Sequence, residues 1–378
     1  MKTGSKQRKS QSKAFLIKRH PTRKIAVGAV KIGGNAPISI QTMTKTPTRD
    51  IRATVKQILE LEQIGCDIIR VAVPDMEAAR AISPIRRKIH IPLIADIHFD
   101  HRLALAAIAG GADGLRLNPG NIGSKLKIKE VVQAAKEKNL PIRIGVNSGS
   151  LEKDILAKHG AATAQALVES ALRHARILED LGHRAIKISV KASDVPRTIE
   201  AYRLLSKATD YPLHLGVTEA GTLLNGAVRS SVALGILLAE GIGDTIRVSL
   251  SDAPANEVRV GREILGGLGL RADGPRVIAC PTCGRAQMNV IKLAHTIEKQ
   301  LGKLEKENPQ TRIWPTVAVM GCVVNGPGEA RDADIAVVCG KNKVFLYIDG
   351  VRTAVLEAKS APAIVAEQVL AFCARQSG

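Results

Sequence analysis

The chain has 378 residues, 45% of them apolar, which is enough to bury more than one core and argues against a single small domain. A formal charge of +20 calls for an acidic partner, yet 2% aromatic residues and one Trp leave few side chains to stack on bases, which counts against nucleic acid. No apolar run approaches the roughly 18–20 residues of a membrane-spanning helix, and no membrane partner is expected.

The first acidic residue is Asp50, so the chain opens on a strongly basic stretch, and residues 1–20 are expected to form a solvated tail. From there short β-branched runs alternate with amphipathic stretches. Strands are predicted over residues 38–43, 68–73, 92–98, 114–118, 142–147, 185–190, 213–218 and 245–250. Helical periodicity lies between them, as in 51–64 with Val55, Ile58 and Leu61, and in 164–181 with Leu167, Ala171, Ala175 and Leu178 on one face. Eight such units predict an α/β fold of the (β/α)₈ TIM-barrel type over residues 21–270. An open doubly wound sheet is the alternative, but no GxGxxG opens a helix after the first strand. Residues 271–275 read as a linker. A smaller α+β domain is predicted for 271–378, with a helix over 287–304, strands over 316–320, 335–338 and 344–348, and a closing helix over 361–375.

Residues i and i+2 share a face of a strand. Asp96 with His98, Arg116 with Asn118, Arg143 with Asn147, Lys187 with Ser189, and Arg247 with Ser249 therefore face one way, and the residues between them are mostly apolar. The apolar set must face the helices, which turns the polar set, with Arg70, into the barrel at the carboxyl ends of its strands. Arg70, Arg116, Arg143, Lys187 and Arg247 gathered in one cavity repel one another unless an anion compensates them, and guanidinium forks match phosphate. A phosphorylated small molecule is the expected ligand. His98 and His214 read equally as substrate contacts or as satisfied interior histidines. Glu219 and Asp96, with Arg116 beside them, are the catalytic candidates, the carboxylates either moving a proton or orienting the arginines. Glycine-bearing loops at 118–123 and 147–150 follow the fourth and fifth strands.

Six cysteines in a chain of this size, without a leader pattern, point to a reducing compartment. Cys280 and Cys283 form a CxxC turn, and Cys322 lies in the glycine-rich run 321–329 ending at Glu329. Three thiols and an oxygen donor are an odd set for structural zinc and suit an iron–sulfur cluster with one labile ligand, Cys339 being the competing fourth donor. Cys66 and Cys373 read as buried small hydrophobes. A redox-neutral phosphate-binding barrel transferase with a structural zinc domain, and a nucleic-acid binder with a zinc module, remain open at this point.

Gln41-Thr-Met-Thr44, Arg70-Val71, Ala95-Asp-Ile-His98-Phe-Asp100, the run 116–123, Arg143-Ile-Gly-Val-Asn147, 149–153 and the run 213–221 resemble the barrel signatures of the 4-hydroxy-3-methylbut-2-enyl diphosphate synthase family. Cys280-Pro-Thr-Cys283-Gly-Arg285 and 321–330 are similar to its cluster motifs. The resemblance implies a [4Fe-4S] cluster on Cys280, Cys283, Cys322 and Glu329, carried on a domain like those of sulfite and nitrite reductases. It implies reductive ring opening of 2-C-methyl-D-erythritol 2,4-cyclodiphosphate, with electrons from flavodoxin or ferredoxin. It also implies a homodimer in which one subunit's cluster domain covers the other's barrel mouth.

Overall fold

The structure, a computed structural model, describes residues 17–271, 274–308, 310–311, 313–324 and 326–377. The chain divides after Arg271 into two compact units. Of the expected basic tail, residues 1–16 lie outside the described residues. Its last part is fixed: the His20 N–H donates to Gly241 O at 2.8 Å, and Arg19 pairs with the buried Asp244 at 2.6 Å.

The first unit opens on a hairpin, β1 (Ile25–Val27) and β2 (Val30–Ile32). The barrel strands follow: β3 (Ser39–Met43), β4 (Ile68–Ala72), β5 (Leu93–Asp96), β6 (Gly114–Arg116), β7 (Ile142–Asn147), β8 (Ile186–Lys191), β9 (His214–Leu215) and β10 (Thr245–Ile246). They form one parallel sheet in the order β8-β7-β6-β5-β4-β3-β10-β9, and a bridge from Ile188 to Leu213 brings its two ends together. All eight predicted barrel strands are present. β9 and β10 are shorter than expected because Gly216 interrupts the run and leaves single bonds, such as Arg247 N–H to Leu215 O at 2.9 Å, where a ladder was predicted.

Helices start where the sequence offers caps. Asp50 accepts from Ala53 N–H before Ile51–Glu62, and Thr163 accepts from Ala166 N–H before Ala164–Asp180. Their apolar faces join Ile69, Val71, Ala95, Ile97, Leu115, Ile144, Val146, Ile188, Val190 and Leu215 in one continuous core between strands and helices. These are the residues that alternate with the charged ones, so the period of two sends the charged set inward. The β1–β2 hairpin makes a small separate core with Ile68 and Ile94, near the strands' amino ends.

The second unit is a five-stranded mixed sheet in the order β11 (Arg276–Ala279), β12 (Thr316–Met320), β13 (Ile335–Cys339), β14 (Val344–Ile348) and β15 (Val351–Leu356). β11, β12 and β13 run parallel, and the last two strands are antiparallel. Helices Val290–Glu307 and Ala361–Ser377 share a core with Val317, Val319 and Val337. β11 and β15 escaped the sequence reading because both are edge strands with mixed exposure and no clean alternation. Among the described residues no helix is long and apolar enough to cross a membrane.

Candidate active site

The carboxyl ends of the barrel strands enclose a cavity of about 220 Å³ lined by Arg70, Asp96, His98, Arg116, Arg143, Gly145, Asn147, Lys191, Thr218, Arg247 and Ser249. Its volume lies below the roughly 300–1,000 Å³ of drug-sized sites, which suits a small ligand. Five cationic side chains face one carboxylate.

Burial alone would raise the Asp96 carboxyl, but Arg70, His98, Arg116 and Arg143 overcome it and hold the group well below the usual carboxylate range. Its Oδ1 accepts from Arg116 Nη1 at 3.3 Å, and its Oδ2 lies 3.7 Å from Arg70 Nε. Asp96 is thus held ionised as a counter-ion. The opposite happens to the cations. Burial, then Arg70 and Arg116, push the Arg143 guanidinium well down, and burial with Arg70 lowers Arg247 to about 10. Lys191 is pushed far down by burial and by Arg143, Arg247 and Arg70. Burial is the largest cause of each lowered cation and the neighbouring positive charges add to it; a bound anion would act against both.

Two glycines give the cations room. A Cβ at Gly145 would lie 2.8 Å from Arg116 Nε, and one at Gly216 would lie 2.5 Å from Lys191 Nζ and 2.6 Å from the Arg247 carbonyl oxygen. The second clash involves backbone and cannot be relieved by a rotamer change. Gly216→Ala should therefore cost about 1–3 kcal/mol of stability by overpacking and displace Lys191, read as a lower melting temperature together with a raised KM. A native-like KM would show that Lys191 does not need this gap.

The sequence-derived site residues divide by depth. Arg70, Asp96, His98, Arg116, Arg143, Asn147, Arg247 and Ser249 line the cavity. Lys187, Ser189 and His214 point inward but do not line it. Lys187 and His214 are almost fully buried in the barrel interior and pushed far down, first by burial, which for His214 matches the interior-histidine reading that the sequence left open. Ser189 Oγ accepts from Arg143 Nη1 at 2.8 Å and so supports a lining residue. Asn118 spends its amide on Gly145, donating to its carbonyl at 3.0 Å and accepting from its N–H at 2.9 Å, which joins the strand ends of β6 and β7. Glu219 is exposed at the turn after Thr218, with φ +52°. Lys191 and Thr218 were missed, although both obey the same parity, two residues beyond Ser189 and Gly216.

In the second unit Cys280 follows β11, and Cys322 follows the neighbouring parallel strand β12. The Cys280 N–H donates to Val319 O at 2.9 Å, and Gln287 N–H donates to Gly321 O at 3.1 Å, which docks the CxxC loop on the turn that leads into Cys322. A Cβ at Gly321 would stand 3.5 Å from Cys280 Sγ. Thr282, inside the CxxC turn, takes φ +66°. Cys283 and Glu329 are exposed. Three thiols and a carboxylate on two facing loops suit an iron–sulfur cluster by donor chemistry. Among the described residues no three metal-ligating side chains converge as a preformed site. Cys339 is buried between sheet and helices, its thiol raised to about 11 by burial and by Cys280, and it packs as an apolar side chain. Cys66 and Cys373 are buried too.

A family model described as the GcpE TIM-barrel domain matches residues 22–262, and one described as the GcpE protein C-terminal domain matches 276–370. A Geobacter sulfurreducens protein named 4-hydroxy-3-methylbut-2-en-1-yl diphosphate synthase (flavodoxin) is 57% identical over 347 residues, covering 92% of this chain and 96% of its own. A protein of the same name from Caldanaerobacter subterraneus is 57% identical over 329 residues, covering 87% and 91%. Among solved structures, a Yersinia pestis dihydropteroate synthase overlaps 65% of this chain and 97% of its own at TM-score 0.48 and 12% identity.

Proposed function

The chain belongs to the GcpE family of 4-hydroxy-3-methylbut-2-en-1-yl diphosphate synthases, and on that premise we propose that its barrel cavity holds the cyclic diphosphate while the smaller unit carries a [4Fe-4S] cluster. It is an oxidoreductase of non-mevalonate isoprenoid biosynthesis. The reaction opens 2-C-methyl-D-erythritol 2,4-cyclodiphosphate to the linear allylic diphosphate, with two electrons and a proton entering and water leaving. Family membership removes the redox-neutral transferase and the nucleic-acid binder as readings of this chain.

The observation that carries the proposal for the cavity is its surplus of buried cations over Asp96. The cyclic diphosphate has one ionised oxygen on each phosphate. Opening the ring frees a terminal phosphate whose second ionisation falls near pH 6, so charge grows by about one unit along the reaction. Arg70, Arg116, Arg143, Lys191 and Arg247, fixed before substrate arrives, meet that growth without reorganising, which favours the transition state over the ground state. Asp96 keeps Arg70 and Arg116 in place and, being held ionised, is the counter-ion of this set instead of its proton donor.

Cys280, Cys283, Cys322 and Glu329 are the residues that would hold the cluster. When bound it supplies electrons one at a time. Glu219, exposed at the turn beside the cavity-lining Thr218, is the proposed acid that gives the leaving hydroxyl its proton. Glu219→Gln should lower kcat by about 10²-fold or more, the usual contribution of a general acid, with KM changed little. A native kcat would remove Glu219 from the chemistry.

A flavodoxin is the proposed electron donor, as the relatives' names state for them, with ferredoxin the substitute, and a cytoplasmic homodimer is the proposed form. The test is iron and sulfide analysis with an absorption spectrum on anaerobically purified protein, followed by reductive ring opening. About four irons and four sulfides per chain are expected. One zinc and no sulfide, with none gained on reconstitution, would refute the cluster.

A further inference from the structure

We propose that Glu257 is a positioning residue for the diphosphate cavity, acting from the surrounding helix layer through Arg247. Glu257 sits on helix Pro254–Gly267 and is 2% exposed. Four partners converge on its carboxylate. Thr42 Oγ1 donates to Oε2 at 2.6 Å, and the Leu250 N–H donates to Oε1 at 3.1 Å. Arg247 Nε lies 3.5 Å from Oε2, and Lys45 Nζ lies 4.0 Å from Oε1. Lys45 in turn donates to the Leu250 carbonyl at 2.9 Å and to that of Asp252. The group therefore ties the end of β3 to the segment after β10, where the last strand meets the first.

Two of these partners are cations, and the other two are donors. Only a group that accepts on every side satisfies all four, because an amide would have to turn its NH₂ toward a donor or a positive charge. The consequence for the cavity lies in Arg247. Beyond burial, Arg70 is the charge that presses most on Arg247, and Glu257 is the strongest attraction holding it. Arg247 thus meets Glu257 through its Nε, as an ion pair too long for a good hydrogen bond, while its side chain also lines the cavity. Glu257 itself is absent from that lining. Lys191 also feels its charge.

This role presupposes that Arg247 meets the diphosphate, as proposed above. Inorganic pyrophosphate binding to the full-length protein, measured by calorimetry, reads it without dependence on electron transfer. Glu257→Gln should weaken pyrophosphate about tenfold, the scale on which coupled charged contacts act, and raise KM for the cyclic diphosphate more than it lowers kcat. In an Arg247→Ala background the same substitution should cause no further loss. Thr42→Val, which removes one hydrogen bond and leaves the carboxylate, should lower the melting temperature with native affinity. If Glu257→Gln does not fold, Glu257→Asp tests the same coupling, since the shorter side chain cannot reach both Thr42 and Arg247. An equal loss in both backgrounds, or lower stability with unchanged pyrophosphate affinity, overturns the positioning role alone. Native pyrophosphate affinity in Arg247→Ala would overturn the reading of the cavity and this role with it.

Discussion

Replacing Arg143 with Met should weaken binding of the cyclic diphosphate by about 10²-fold or more while raising the melting temperature of the ligand-free protein. Arg143 is 3% exposed at the centre of the cationic set. It donates to Ser189 Oγ at 2.8 Å, and its Nε meets no acceptor. Desolvation and the charges of Arg70 and Arg116 outweigh the attraction of Asp96, which is why its pKa falls so far. Removing a buried charge that contacts ligand costs about 2–5 kcal/mol of binding, and about 1.4 kcal/mol is a factor of ten. Without ligand the same charge is a burden, and replacing buried ionic groups by apolar ones of similar volume gives about 1–4 kcal/mol of stability. Calorimetry with and without substrate reads both signs. A lower melting temperature, or native affinity, would mean that Arg143 is compensated within the protein and does not wait for an anion.

Asp96→Asn should do the reverse and destabilise the ligand-free protein by about 3–5 kcal/mol, the range for breaking a buried charge set by removing one partner. Among the described residues Asp96 is the lone carboxylate lining the cavity, and its loss takes that anion from Arg70, Arg116 and Arg143. The folded-state pKa is depressed, so the stability Asp96 contributes is present above the unfolded value near 3.9 and is lost as pH falls toward the folded one. Denaturant unfolding should therefore show the widest gap between native and Asp96→Asn proteins at neutral pH, narrowing below about pH 4. Pyrophosphate should restore more stability to the variant than to the native protein. A gap that does not change with pH would show that Asp96 contributes through hydrogen-bond geometry and not through charge.

Eight repeated βα units were enough to derive a barrel, and the alternation of charged and apolar residues along five of its strands was enough to turn the cations inward, because strand period and burial leave one consistent solution. Arg70, Asp96, Arg116, Arg143 and Arg247 line the cavity for that reason. The cysteine spacing and the motif at 321–329 named the ligand candidates in the same local way, since loop chemistry is written over a few adjacent residues. Depth was decided only by the tertiary structure. Lys187 and Lys191 share one strand and one parity, yet Lys187 is sealed in the interior while Lys191 reaches the cavity across the gap that Gly216 leaves in β9's continuation. Strand parity states which face a residue takes, whereas the stagger of the barrel sets how far up the axis it stands. Glu257 was invisible for a related reason: its partners Thr42, Lys45 and Arg247 come from the first and last strands, some 200 residues apart, and only closure of the sheet brings them to one helix.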